Sequence, residues 1–131
     1  MVHSDLTREI LDAAFDVSNE LGAGFLESVY EKALLVCLGE KGLRAENQKP
    51  LDVRFRSHVV GSFFADIVVE GCVILELKAA KDLAPDHEAQ LLNYLNATGL
   101  PVGLLLNFGN PKLQYRRFEN RFNSLKVFDR D

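Results

Sequence analysis

Cysteine, net positive charge and long apolar runs are all scarce in this chain, and each scarcity removes a class of protein. The two cysteines, Cys37 and Cys72, fall in a helical pattern and a strand pattern respectively, and neither belongs to a C-x-x-C or Cys/His cluster. That leaves no ligand set for zinc, and both residues are expected as small, buried free thiols. Lysine and arginine number 15 against 19 acids, a formal net charge of −4. A general nucleic-acid coat protein needs a basic surface that neutralises many phosphates, so that class is set aside. No apolar stretch approaches the length of a membrane span, and Met1-Val2-His3-Ser4-Asp5-Leu6 has neither the basic patch nor the apolar run of a signal peptide. The expectation is a soluble cytoplasmic protein with no membrane partner. Repeats and low-complexity stretches are absent too.

What remains is a chain of 131 residues, 47% hydrophobic. That suits one folded domain over residues 1–131, with a real core and no room for a second, and it argues against disorder. Charge is unevenly spread. Residues 112–131 hold Lys112, Arg116, Arg117, Arg121, Lys126 and Arg130 against Glu119, Asp129 and Asp131. Such a bias fits either a phosphate-contacting edge or, more commonly, a solvated strand and tail.

Ser4 is placed to cap a first helix in which Ile10, Ala13, Ala14, Val17 and Leu21 keep helical spacing, and Gly22-Ala23-Gly24 ends it. A second helix is expected from about Leu26 to Lys41, with Leu26, Val29, Tyr30, Ala33, Leu34, Cys37 and Leu38 inward and Gly42 as its stop. From Leu43 to Phe64 the pattern suits two strands, with Gln48-Lys49-Pro50 and Arg56-Ser57-His58 as irregular points. The acidic hairpin is read as the strand Phe63–Val69, overlapping the end of that segment, followed by Cys72–Ala79. Pro85 opens a helix running to Thr98, Val102–Asn107 reads as a buried strand, and Leu113–Phe118 as a possible edge strand. The step from Leu75 through Tyr94 to Leu104 predicts a crossover joining parallel neighbours. The expected fold is α/β: a mixed central sheet flanked by helices, in the order α-α-β-β-β-α-β.

The chemistry concentrates in the acidic hairpin. Asp66 and Glu76-Leu77-Lys78 put two acids and a lysine among apolar, β-prone residues, where ionised groups are costly unless paired or ligated. Glu76 and Lys78 share a strand face, roughly 6 to 7 Å apart along it. Whether Asp66 joins them depends on the turn. A two-residue loop at Glu70-Gly71 sets Asp66 opposite Leu75, on the wrong face. A three-residue loop, Val69-Glu70-Gly71 with Gly71 left-handed, sets it opposite Ile74 and diagonal to Glu76, about 7 to 8 Å away at the backbone. An odd loop is therefore predicted. The bland alternative is a set of ordinary surface pairs, but a half-exposed sheet alternates with polar residues and these strands do not.

Two carboxylates converging in an apolar sheet seat a hard divalent cation such as Mg2+ or Mn2+, which can orient a phosphodiester and sharpen the acidity of a water. Lys78 on the same face can position or deprotonate that water, or neutralise developing charge. At this point the chain resembles the PD-(D/E)xK nucleases, whose restriction-endonuclease-like core carries an Asp on one strand and Glu-x-Lys on the next. Ala65 stands where the family name has proline, a departure that touches the backbone more than the chemistry. Gly24-Phe25-Leu26-Glu27-Ser28-Val29-Tyr30 is similar to the signature of the GxxExxY branch of that superfamily, and Gln90-Leu91-Leu92-Asn93-Tyr94 to the Q-x-x-x-Y motif of exonuclease-type branches.

The resemblance spans roughly residues 5–110. It implies Asp66 and Glu76 as metal ligands, Glu27 as an auxiliary ligand, the Leu77 carbonyl completing coordination, Lys78 activating water, and Gln90 and Tyr94 supporting the site. DNA is the implied partner. Tyr30 and Tyr94 stand at core-facing positions, where packing and a site role are both open, and Glu27 also suits the positive end of a helix dipole. His87 and Glu88 read as capping or surface groups. The competing function is a non-catalytic nuclease-fold binding or regulatory module, working as a homodimer or in a complex with another protein.

Overall fold

Apolar residues at helical spacing fill the first forty positions, and in the computed structural model, which describes residues 2–120, they form two helices. The first, α1, spans Ser4–Leu21 and buries Thr7, Ile10, Ala13, Ala14, Val17 and Ser18. Ser4 does not cap it. The residue before the helix is His3, in the left-handed conformation with no side-chain cap, and Ser4 is already helical, its carbonyl accepting from Thr7 Oγ1 at 3.0 Å. Gly22 ends the helix as expected, with φ 72° and its N–H donating to the Ser18 carbonyl at 3.0 Å.

The second helix, α2, spans Glu27–Glu40 and buries Tyr30, Leu34 and Leu38. Leu26 and Val29, expected inward, are exposed at 76% and 36%. Leu26 precedes the helix in extended conformation, and the buried stripe at i, i+4 and i+8 leaves Val29 off-axis. Ala33 and Cys37 do pack against the core, and both cysteines are free and partly buried.

Five strands follow: β1 (Ala45–Phe55), β2 (His58–Val69), β3 (Val73–Lys78), β4 (Val102–Asn107) and β5 (Gln114–Glu119), with helix α3 (Pro85–Thr98) between β3 and β4. They form one sheet in the order β1-β2-β3-β4-β5. Neighbours are antiparallel except β3 and β4, which are parallel across the α3 crossover. Alternation along the central strands splits the core in two. Val73, Leu75, Leu77, Leu104 and Leu106 meet α1 and α2, whereas Ile74 and Leu105 meet Leu91 and Leu95 of α3. The result is the expected mixed α/β architecture with helices on both faces and β5 at one edge. No helix among the described residues is long and apolar enough to cross a membrane.

β1 and β2, at 11 and 12 residues, are about twice as long as the 6-residue strands beside them. Since β2 pairs with β3 only from Ile67 to Val69, the rest of the β1–β2 hairpin runs on as a two-stranded arm. Its tip turns at Arg56 and Ser57, with φ of 49° and 68°, the signature of a type I′ turn at the second of the two irregular points. Of the basic C-terminal segment, Arg121, Lys126, Asp129, Arg130 and Asp131 lie outside the described residues. Within them the largely buried Arg117 pairs with Glu119 at 2.7 Å, and the exposed Arg116 approaches Glu88 at 3.9 Å.

Candidate metal and catalytic centre

The turn between β2 and β3 decides whether the acids meet. It is a three-residue loop, Glu70-Gly71-Cys72, with Glu70 at φ 52° and Gly71 at φ 64°, closed by the Cys72 N–H on the Val69 carbonyl at 3.0 Å. The loop is odd, as required, but lies one residue later than expected. Pairing therefore runs Val69 to Val73, Val68 to Ile74 and Ile67 to Leu75. Continued by one step, that register sets Asp66 across from Glu76 rather than opposite Ile74, so the carboxyls are direct cross-strand neighbours instead of diagonal ones.

Regular pairing fails at Asp66 on both sides. Towards β3, the ladder stops and the Leu77 N–H donates to Asp66 Oδ2 at 2.8 Å. Towards β1, the residue across from Asp66 is Gln48, flanked by the pairs Asn47 with Ile67 and Lys49 with Ala65, and its φ is 49°. A left-handed glutamine inside a strand is strained, and such strain collects at functional sites. The sheet opens there into a cleft of about 370 Å³ lined by Glu27, Ser28, Glu31, Gln48, Asp66 and Leu77. Gln48 Nε2 donates to Glu31 Oε1 at 2.8 Å, tying β1 to α2 across the cleft.

Glu76 is only 5% exposed, and its Oε1 is buried with no hydrogen-bond partner. Burial, and after it the Asp66 charge, pushes its pKa up to about 8, against an opposing pull from Lys78. Asp66 is also raised, first by burial and further by Glu27, while the Leu77 N–H and Lys78 act the other way. Two carboxyls that resist ionisation side by side, one with an orphaned buried oxygen, are groups whose charge a bound cation would compensate. The donor set is hard oxygen, which fits magnesium or manganese. Among the described residues no three histidine, cysteine, aspartate or glutamate side chains already converge on one point; Glu27 lines the cleft and is felt by Asp66, but the close pair is Asp66 and Glu76.

Lys78 ends β3, partly buried, and its carbonyl accepts the Phe108 N–H at 2.8 Å. The chain beyond it is clamped by buried Asn107. The Asn107 Oδ1 accepts from the Ala80 N–H at 2.9 Å and the Gly109 N–H at 3.0 Å, while Nδ2 donates to the Ala80 carbonyl and Gln114 Oε1, both at 2.9 Å. Gly109 lies so close that a Cβ there would sit 2.0 Å from the Ala80 oxygen.

From the other face, α3 brings Tyr94 to the acids. Its ring stacks on Phe63 at 3.7 Å, and its hydroxyl accepts from Gln90 Nε2 at 2.8 Å. Its pKa is raised by burial and then by the charge of Glu76. Tyr30 is different: fully buried, it donates to the Gly22 carbonyl at 2.6 Å, accepts from the Phe25 N–H at 3.2 Å and stacks on Phe108, so it braces the α1–α2 junction. His87 accepts the Ala84 N–H at 3.1 Å, a capping contact. Sequence reasoning did not single out Gln48, Glu31, Phe63 or Asn107, although the irregularity at Gln48-Lys49-Pro50 marked the place where β1 bends to face Asp66.

The sheet order, the crossover and the acids at the opened strand junction define a restriction-endonuclease-like fold. Over residues 4–118 the chain matches the family model of the PD-(D/E)XK nuclease superfamily, to which it therefore belongs. The solved structure of SSO0001 is similar in fold, with a TM-score of 0.55 and 15% identity over 98% of this chain and 69% of that one. No curated protein matches significantly.

Proposed function

We propose that the protein is a metal-dependent nuclease that hydrolyses phosphodiester bonds of DNA, within the GxxExxY branch of its superfamily. One observation carries the reading: the buried, partnerless oxygen of Glu76 beside Asp66, with Lys78 two residues along the same strand face. Asp66 and Glu76 hold Mg2+ or Mn2+, Glu27 contributes from α2, and the Leu77 carbonyl completes the set. The ion, when bound, neutralises charge on the scissile phosphate and acidifies a water. Lys78 orients that water or takes its proton. Tyr94 and Gln90 hold the α3 side of the site, and the Phe63 stack fixes the tyrosine ring.

The test is digestion of linear, nicked and single-stranded DNA with manganese. Wild type is expected to cut at least one form, and Lys78→Ala to lose about two to four orders of magnitude in rate, the span of a positioned acid-base group. Intact DNA in every lane would leave the competing reading, a non-catalytic binding module.

A further inference from the structure

The tip of the β1–β2 arm takes no part in the proposed chemistry. Residues 53–60, Val-Arg-Phe-Arg-Ser-His-Val-Val, contain two arginines and a histidine and no acid, in a chain of net charge −4. Phe55, Val59 and Val60 are 58%, 53% and 60% exposed. Arg56 stacks over the Phe55 ring at 5.0 Å, and no carboxylate among the described residues pairs with it. Arg54 has only a loose partner, Asp52 at 3.7 Å, with both side chains more than half exposed. The left-handed turn positions, which Asn-Gly fills without strain, hold Arg56 and Ser57. By alternation along β1, Phe55 lies on the face of Leu51, which packs with α3, and Phe63 of the same arm stacks on Tyr94.

Resting on the nuclease reading, we infer that this arm is a nucleic-acid clamp: Arg54 and Arg56 bind backbone phosphates of duplex DNA that runs past the Asp66–Glu76 site, with Phe55 against the sugar edge. The eight positions from Asp66 to His58 span about 26 Å at strand rise. At 3.4 Å per base pair, the contact falls about eight base pairs from the scissile bond. An acidic protein thus carries Arg56, with no carboxylate partner, and the loosely paired Arg54 on the arm that extends from the cleft.

Binding of labelled duplexes of about 6 and 20 base pairs is measured by fluorescence anisotropy in EDTA, so that nothing is cut. Arg54→Ala/Arg56→Ala is expected to weaken the longer duplex about ten-fold or more and to lower the slope of log affinity against log salt by about two, sparing the shorter duplex. Manganese affinity stays at the wild-type value. If the double variant binds the longer duplex as wild type does while wild type cleaves DNA, the clamp is wrong and the nuclease reading stands. If wild type neither binds nor cuts any DNA, the nuclease reading fails and the clamp with it. Sedimentation showing a dimer that Phe55→Ala/Val59→Lys dissolves, with DNA affinity unchanged, would overturn the clamp in favour of self-association.

Discussion

Replacing Glu76 by glutamine should stabilise the metal-free protein at neutral and alkaline pH, an unusual outcome for a buried position. The carboxyl titrates near 4.5 when unfolded and near 8 when folded, so between those values the folded state holds a proton that the unfolded state has released. Stability therefore falls as pH rises through that window. At about 1.4 kcal/mol per unit, the full shift corresponds to about 5 kcal/mol, of which about 3 is lost by pH 7. Glutamine has the same shape, never ionises and can donate to Asp66. Glu76→Gln should thus gain about 2 to 3 kcal/mol at pH 7 to 8, or roughly 10 °C in Tm for a chain of this size, and the gain should vanish below about pH 4.5, where both states are protonated in wild type. Circular dichroism during urea and thermal unfolding, in EDTA across pH 4 to 9, reads this directly. A variant no more stable than wild type at pH 8, or a difference that grows towards acid pH, would refute the reasoning.

Other expectations follow from neighbouring contacts. Because Glu76 must lose its proton to ligate, manganese affinity should rise with pH and level off above about 8, with proton release seen by calorimetry in buffers of different ionisation enthalpy; a flat profile from pH 6 to 9 contradicts the assignment. Gly109→Ala drives a methyl into the Ala80 carbonyl and should cost about 1 to 3 kcal/mol in urea unfolding while slowing cleavage, since the clamp that fixes the end of β3 must shift. Tyr30→Phe removes the 2.6 Å bond to Gly22 and should cost about 1 kcal/mol of stability with manganese affinity unchanged; a large loss of metal binding would return Tyr30 to the site.

Much of this was legible because the signals were strong and local. Pro85 at the start of α3, glycine at the ends of helices, and apolar runs at β3 and β4 fixed those elements within a residue or two. The convergence of Asp66 and Glu76 was legible as a condition on loop parity, and parity was right. The loop lay one residue later than expected, moving the position across from Asp66 by two, from Ile74 to Glu76, because the residues that could turn, Glu70 and Gly71, fit two three-residue loops equally. What selects the later one is tertiary: the Glu70 carboxylate accepts the Arg44 N–H at 2.5 Å, and its own N–H donates to the Arg44 carbonyl at 2.8 Å. Leu26 and Val29 misled because helical spacing names a stripe without saying where the helix begins. Gln48 was invisible as a site residue, since nothing in a glutamine's chemistry announces a left-handed backbone facing an aspartate.

The most direct test of the central claim is titration of the metal-free protein with manganese, followed by calorimetry, for wild type and Asp66→Ala. Wild type is expected to bind saturably and the substitution to abolish binding. Absence of binding, or binding indifferent to Asp66, would contradict that claim.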